Sequence, residues 1–514
     1  MWQLVLALLL SGWLLVPAVS AEVLYGADGA GGHSSSLFTL DPASGKVLST
    51  VGAIGFAVTG LAIHPTTGAM FGSTARMGAN AKSLITIDKA NGHGTLVAAL
   101  SFPADQDQTQ TLSDLTFTSD GTLYGLGSND GQLYTIDQAT AHATAVGTPE
   151  NIGKPSGGAI AADGCNTIYL SGTTDSGILQ TIDRTTGEPS EGIPLSGNTD
   201  NPLSAMKFNS AGDLIAALLD NSEDTPTASL IKVDKRTGNI VTLGPTVDRL
   251  DAIAFDGVTF APCAFLVAAI LPASRSVQVA QPATAFVSVI NSGSTTANDV
   301  GIFPNNALPL NLLFQPTDPA TNKPTGGPNQ TVSIAPGQAQ TYVIAVTPTD
   351  LLGPTDVSFN FAGTNTAPVT TLTGLNTLLL SASAEPVPDI VALAATVQND
   401  GIVHIPGNTA TGFFSVATIN VGAAGDITAS ADTGGATLPV AIALCQTNTT
   451  GGCMSPPAPT VQTSIGANGT PTFAVFVAGQ DFVPFDPAKN RVFVRFTGAD
   501  DTVRGATSVA VRTQ

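Results

Sequence analysis

Hydrophobic and polar residues alternate along most of this chain in short runs, which are separated by Gly, Asn, Asp, Ser and Pro. An alternation with a period of two is typical of β-strands that bury one face. Residues 115–146 show it clearly, with four alternating runs and an Asp-Gly turn at 120–121. The pattern predicts an all-β protein built from antiparallel meanders.

One short motif recurs five times in the first half of the chain. It consists of Leu, two variable residues, an aliphatic residue and Asp, in Leu37–Asp41, Leu84–Asp88, Leu133–Asp137, Leu179–Asp183 and Leu230–Asp234. The aspartates are 46 to 51 residues apart, a period typical of propeller blades rather than of helical repeats. In four copies Gly follows four residues after the Asp, and we expect the carboxylate to accept backbone N–H bonds in that turn.

The arrangement of the predicted strands indicates five blades. The chain from residue 22 begins with a second strand, whereas 250–257 has the pattern of a first strand with no successors, so the two ends are expected to complete one blade. The repeats resemble those of bacterial secreted propellers with Leu-Tyr-x-Ile-Asp-x-x-Thr-Gly motifs and are similar to YVTN and NHL-type repeats. The resemblance covers residues 22 to about 260; it implies a ring with an exposed binding face and no particular chemistry.

A different pattern begins after residue 262. Alternating strands and a Pro-Gly turn at 336–337 favour a β-sandwich of immunoglobulin or fibronectin type. The Pro-rich segment Glu385–Asp389 is typical of a linker, and a second sandwich is predicted after it. This last part resembles a C-terminal module of exported bacterial proteins with no assigned activity. The predicted domains are a propeller at 22–262 and two sandwiches at 263–385 and 386–514.

The first 21 residues have the pattern of a cleaved signal peptide. They contain no Lys or Arg, include the apolar run Leu4–Leu10 and end in small residues. The alternative is a membrane anchor, which is disfavoured because Ser11 and Pro17 interrupt the apolar stretch. No later segment predicts a transmembrane span. We therefore expect a secreted, periplasmic or cell-surface protein.

The amino-acid composition excludes some classes of binding partner. The chain has 38 acidic and 18 basic residues and a net charge of −20, which repels nucleic acids and anionic lipid. The five histidines show no metal-ligand spacing, and no nucleophile or phosphate-binding motif is present in the sequence. Zinc sites and nucleophilic catalysis are therefore disfavoured.

Four cysteines can pair in three ways in an exported chain. Cys445 and Cys453 flank a turn-rich connector, which favours a disulfide between them. The remaining pair, Cys165 and Cys263, would then join the propeller to the interdomain junction. The alternative is four free thiols in a reducing compartment.

In a propeller the first strands line the centre, and the loops that enter them form one face. Asp114 and Asp251 lie at the starts of two predicted first strands, where their carboxylates are expected to converge and could hold Ca²⁺. The remaining candidate ligand-binding residues are predicted on loops of the same face: Asp28, His33, Arg76, Asp130, Asp175, Asp220 and Arg249. No cofactor is expected other than this calcium.

The sequence is compatible with two functions. The leading interpretation is an exported, non-enzymatic binding or scaffold protein whose propeller face contacts a protein or a glycan. The alternative is a carbohydrate-active or lactone-type hydrolase that uses the acidic residues at the centre of the ring. The two interpretations differ in whether the central carboxylates converge.

Overall fold

The computed structural model describes residues 22–78, 80–104, 109–147, 158–172, 177–197, 203–220, 225–305 and 308–514. Strands and their connections make up these residues, so the all-β prediction is confirmed. Within the same ranges, no helix has the length and hydropathy that a membrane span requires. The predicted signal peptide, 1–21, lies outside the described residues.

Twenty strands form the first half of the chain. Their bounds are Val23–Asp28 (β1), Ser36–Leu40 (β2), Val47–Ala53 (β3), Val58–Ile63 (β4), Met70–Thr74 (β5), Ser83–Ile87 (β6), Gly94–Ala99 (β7), Leu112–Phe117 (β8), Leu123–Gly127 (β9), Leu133–Ile136 (β10), Ala143–Ala145 (β11), Gly158–Ala162 (β12), Ile168–Gly172 (β13), Ile178–Ile182 (β14), Ile193–Pro194 (β15), Leu203–Phe208 (β16), Leu214–Asp220 (β17), Thr227–Val233 (β18), Ile240–Pro245 (β19) and Leu250–Asp256 (β20).

These strands pair into four-stranded antiparallel sheets, the arrangement of propeller-like folds. Four sheets are consecutive meanders: β4 to β7, β8 to β11, β12 to β15 and β16 to β19. A further sheet has the order β20-β1-β2-β3, in which Leu24 pairs with Phe255. The two ends of this half therefore share one sheet, as the strand pattern predicts.

The first strand of each meander and β20 form the centre of this half, and we call them the ring strands. Along the chain each of β4, β8, β12 and β16 contacts the next ring strand, and β20 contacts β4. Hydrophobic clusters fill the space between neighbouring sheets. Gly60 permits one close approach, since a Cβ there would lie 2.7 Å from the Cα of Asp114.

The turns that follow the repeated aspartates have the predicted geometry. The carboxylates of Asp41, Asp88, Asp137, Asp183 and Asp234 each accept the backbone N–H of the residue two positions later. Gly45, Gly92, Gly187 and Gly238 have positive φ angles. Ala141 takes the same conformation, with φ of 58°, in the copy that lacks Gly. The repeated Asp is therefore a turn-forming residue.

Ten strands form the next part: Leu266–Leu271 (β21), Ser274–Gln278 (β22), Ala283–Asn291 (β23), Ala297–Pro304 (β24), Leu310–Thr317 (β25), Val332–Ile334 (β26), Ala339–Pro348 (β27), Leu352–Val357 (β28), Phe359–Ala362 (β29) and Leu378–Ser383 (β30). Nine strands complete the chain: Ile390–Thr396 (β31), Ile402–Ile405 (β32), Thr411–Asn420 (β33), Gly425–Asp432 (β34), Val440–Thr447 (β35), Thr460–Ile465 (β36), Thr472–Gly479 (β37), Arg491–Gly498 (β38) and Val503–Thr513 (β39).

These two parts have the same topology. Each has a four-stranded sheet, in the orders β21-β23-β27-β25 and β31-β33-β37-β35. The second layer of the earlier part consists of two sheets, β22-β30-β28 and β26-β24-β29. Together they correspond to the single sheet β32-β39-β38-β34-β36 of the later part. The equivalent pairs β22/β30 and β32/β39 are both parallel. Each part has its own hydrophobic core. The sequence interpretation missed this duplication.

Two asparagines, one in each part, make equivalent hydrogen bonds. Asn291 donates through Nδ2 to the carbonyls of Thr295 and Ile334 and accepts the N–H of Gly293. Asn420 donates to the carbonyls of Ala423 and Ile465 and accepts the N–H of Gly422. Both side chains are fully buried. The short motif Ile-Asn-x-Gly therefore marks the same corner in both parts.

The two predicted disulfides are confirmed. Cys165 bonds to Cys263 across 98 residues, and Cys445 bonds to Cys453 across 8 residues. No free cysteine is left in the described residues. Disulfides of this kind indicate an oxidising, extracellular environment.

Candidate functional site

Four of the ring strands begin with a β-bulge at an equivalent position. The residues without a partner on the neighbouring strand are Thr59, Ser113, Ser204 and Asp251. A β-bulge turns a side chain away from the regular alternation of a strand. These four positions therefore form one level at the start of the ring strands.

Hydroxyl groups at this level join neighbouring ring strands. Thr59 Oγ1 donates to the carbonyl of Leu112 at 2.8 Å, and Ser204 Oγ donates to the carbonyl of Leu250 at 2.9 Å. Asp251 occupies the same place on β20, and its carboxyl has no hydrogen bond to any residue the structure describes. At the position where the other three ring strands with a bulge have Thr or Ser, β20 therefore has an acid.

A buried ion pair crosses the interior of the ring next to this level. Lys207 Nζ on β16 lies 2.9 Å from both carboxylate oxygens of Asp114 on β8. Asp114 also accepts the backbone N–H groups of Leu115 and Ile160, and Lys207 donates to the carbonyl of Ile160. Because all these groups are buried, the pair ties together β8, β12 and β16.

Burial works against both charges of this pair. It raises the pKa of Asp114 to about 6, although the Lys207 ammonium and the hydrogen bonds oppose the rise. It also lowers the pKa of Lys207, and the charge of Asp114 opposes that change. Each group therefore offsets part of the cost of burying the other.

The carboxyl of Asp251 has no positive partner among the described residues like the one that Lys207 provides for Asp114. Burial raises its pKa to about 8, and the negative charge of Asp114 adds to the rise. Residue Asp251 as a whole is partly exposed, whereas Asp114 is fully buried. Asp251 therefore places a carboxyl with a pKa near neutral pH in a partly exposed residue, a property common at catalytic sites.

Three of the predicted residues lie close together beside this level. Asp28 is at the end of β1, and its carboxylate accepts the N–H of Ser36 at 2.6 Å. Burial raises the pKa of Asp28, while that hydrogen bond and His33 oppose the rise. The Arg249 guanidinium and the His33 ring lie 3.3 Å and 3.5 Å from where a Cβ on Gly31 would be.

The other predicted residues are not part of this group. Arg76 donates to the side chain of Asn129 at 2.7 Å. Asp130 accepts the Tyr134 hydroxyl and the N–H of Gln132, so it stabilises a turn. Asp220 ends β17, and Asp175 lies outside the described residues. Ligand binding at these positions remains a prediction.

Lys207 is the residue of this site that the sequence interpretation missed. It lies between Met206 and Phe208 in the ring strand Leu203–Phe208, and a lysine with apolar neighbours in a central strand is the signal that could have indicated it. Its partner on β8 is 93 residues earlier in the chain. Sequence patterns do not pair residues over that distance.

The described residues show no calcium site at the ring. Calcium takes six to eight oxygen ligands, but both oxygens of Asp114 already accept the Lys207 ammonium. Across the described ranges, no group of three or more His, Cys, Asp or Glu side chains is arranged to hold a metal ion. Calcium binding therefore remains a prediction, and no step below uses it.

Comparisons with solved structures give propeller proteins. A gluconolactonase from Xanthomonas campestris is 12% identical, with 45% of this chain and 79% of that one aligned and a TM-score of 0.30. Regucalcin, a calcium-binding protein from Agrobacterium tumefaciens, is 16% identical, with 52% and 80% aligned and a TM-score of 0.28. The Dos1 propeller is 10% identical, with 63% and 75% aligned and a TM-score of 0.25. No protein-family model and no curated protein sequence matches the chain.

The prediction of a non-enzymatic binding or scaffold protein is wrong and is corrected here. The neighbours include a gluconolactonase, which is the activity that the alternative interpretation named. The findings favour the alternative interpretation, a lactone-type hydrolase with acidic residues at the centre of the ring, and this function remains a proposal.

Proposed function

We propose that the chain is a hydrolase that opens cyclic esters, with Asp251 as its acid–base residue. The observation that carries the proposal is the position of Asp251: a partly exposed residue at the start of a ring strand, beside the buried Asp114, with a pKa raised to about 8. A general acid–base residue is most efficient when its pKa is close to the working pH.

The difference in burial between Asp114 and Asp251 favours a lactone over a glycoside as the substrate. Hydrolysis of a glycosidic bond uses two carboxyl groups that both reach the substrate. Asp114 is fully buried and bonded to Lys207, whereas Asp251 is a partly exposed residue, so Asp251 is the better placed of the two to contact a substrate. An activated ester needs only one base and one water molecule.

In this mechanism the Asp251 carboxylate takes a proton from water while the water oxygen bonds to the lactone carbonyl carbon. The bond between that carbon and the ring oxygen then breaks. Asp251 returns its proton to the ring oxygen, which becomes a hydroxyl group, and the product is a hydroxy acid. Asp114 does not touch the substrate; its negative charge helps to keep the Asp251 proton available near neutral pH.

The same proposal includes a specific architecture. Residues 22–262 form a five-bladed propeller, and residues 263–385 and 386–514 form two immunoglobulin-like sandwiches. The contacts among the ring strands, the sheet shared by β1 and β20, and the repeated topology of the two later parts support it. The chain is secreted after removal of residues 1–21, a proposal supported by the two disulfides.

The test compares wild type with Asp251→Ser in hydrolysis of γ- and δ-lactones, followed by proton release. Serine is the residue at the equivalent bulge of β16, so this variant is expected to fold. We expect it to lose about 100-fold or more in rate, the usual contribution of a general acid–base residue. The wild-type rate should rise with pH up to about 8, as the Asp251 carboxylate forms.

Asp248→Asn is the matched control, because Asp248 is an exposed acid three residues earlier in the chain. It should keep the wild-type rate. A folded Asp251→Ser variant with full activity, or a wild-type protein without activity on any lactone of the panel, would rule out the proposed function.

A further inference from the structure

A cavity of about 530 Å³ lies at the other end of the ring strands, away from Asp251. All five ring strands contribute to it, through residues at their C-terminal ends and the turns that follow. By register, Lys207 and Asp114 lie between this cavity and the level of Asp251. The cavity is therefore separate from the site proposed for hydrolysis.

One wall of the cavity is a segment held across the end of the ring. After β20 the chain does not turn back into another strand; residues 257–263 run toward the next part of the molecule. The N–H of Thr259 donates to Ser210 Oγ at 2.9 Å, and Cys263 is bonded to Cys165. The segment is thus fixed at two points, which belong to two different sheets.

The crossing segment packs where the ring has small residues, Ala162 and Gly164. Ile63, Phe117, Phe208 and Phe255 occupy equivalent positions at the ends of four ring strands, and the fifth position is Ala162. Phe260 from the crossing segment packs here: a Cβ on Gly164 would lie 2.6 Å from the Cβ of Phe260. All of these side chains line the cavity.

The charged groups in the lining are already paired. Lys207 is bonded to Asp114, and Asp256 is bonded to Lys89 at 2.6 Å. The His64 Nδ1 atom accepts the N–H groups of Thr66 and Thr67. The lining therefore offers aromatic and aliphatic surface together with hydroxyl groups, and it offers no unpaired charge to hold an ionic ligand.

We propose that this cavity is a second binding site, for an uncharged, ring-containing small molecule. Its volume lies within the range of ligand sites, and such sites combine apolar walls with a few polar groups. Aromatic side chains from three ring strands and from the crossing segment surround the ligand. The disulfide keeps the aromatic wall in place when the cavity is empty.

Titration with N-phenyl-1-naphthylamine, an uncharged fluorescent probe, tests the site. We expect saturable binding of one probe per chain. Phe260→Ala should weaken it by about tenfold or more, since loss of a buried aromatic contact has an effect of this size. Ala162→Phe, which places a large side chain where the other ring strands have one, should block the cavity and abolish binding.

Phe286→Ala is the control, because Phe286 is 45% exposed on the outer face of a sheet in the next part of the chain. It should leave binding unchanged, and circular dichroism should confirm that each variant is folded. Absence of saturable binding to wild type would overturn the proposal. So would binding that survives both cavity variants or that depends on Phe286. None of these outcomes depends on lactone hydrolysis.

Discussion

Asp251 occupies on β20 the bulge position that Ser204 occupies on β16. The Ser204 hydroxyl donates to the carbonyl of Leu250, the residue that precedes Asp251. The same backbone geometry thus supports a hydroxyl that bonds to the next ring strand at one position and an acid of raised pKa at the equivalent position.

The protonation of Asp251 predicts how stability depends on pH. Its pKa is about 8 in the folded chain against an ordinary value of 3.8. The folded state therefore holds this proton more tightly, and the resulting stability is complete below about pH 4 and lost as the pH rises through about 8. Relative to Asp251→Ser, wild type should lose about 3 to 4 kcal/mol between pH 5 and 8. Urea denaturation across that range measures this, and parallel curves would contradict it.

Removal of Lys207 should be strongly destabilising. Lys207→Met leaves the Asp114 carboxylate buried without its partner, at a cost of about 3 to 5 kcal/mol in the free energy of unfolding. The double variant Asp114→Asn with Lys207→Met should recover part of that loss. Lys232→Met is the control, since its pair with Asp213 is solvent-accessible and should contribute about 1 kcal/mol or less. Equal losses for Lys207→Met and Lys232→Met would refute the prediction.

The two disulfides should contribute unequally. In the chain-entropy model, the 98-residue separation of Cys165 and Cys263 predicts about 4.7 kcal/mol of stabilisation, and the 8-residue separation of Cys445 and Cys453 about 2.5 kcal/mol. Thermal denaturation of the two double Ser variants tests the order. A larger effect from the short loop would show that loop closure does not dominate.

The duplicated asparagines predict matched effects. Asn291→Ala and Asn420→Ala each leave two backbone carbonyls and one N–H without the amide that bonds them, and Asn420→Ala also removes the bonds to Gly466 and Asp389. Each should lower the free energy of unfolding of its own part by about 2 to 3 kcal/mol. An exposed control, Asn408→Ala, should change it by less than about 0.5 kcal/mol. Hydrogen exchange, which reports on each part separately, is the appropriate measurement.

Local features of the fold were predictable because each depends on residues close together in the sequence. The alternation of apolar positions gave the strands, and the spacing from Asp41 to Asp234 gave the repeat. The turn geometry followed from the Asp side chain and a residue of positive φ four positions later. The pairing of Cys445 with Cys453 followed from a short connector.

The relationship between the two later parts was harder to find. Their similarity lies in strand order and in one buried asparagine each, Asn291 and Asn420, within sequences that otherwise differ. A motif of four residues is too short to be noticed without the shared hydrogen bonds.

The sequence by itself determined the strands, the repeat period and the residues that close the ring, because these follow from local periodicity and turn chemistry. Only the tertiary structure decided what the charged residues do. Asp114 and Asp251 are both acids at the ring centre, yet one is paired with Lys207 and the other has no partner of opposite charge among the described residues and a raised pKa. Burial and the nearest charge set those properties, and both arise from strands that are distant in the sequence and adjacent in the ring.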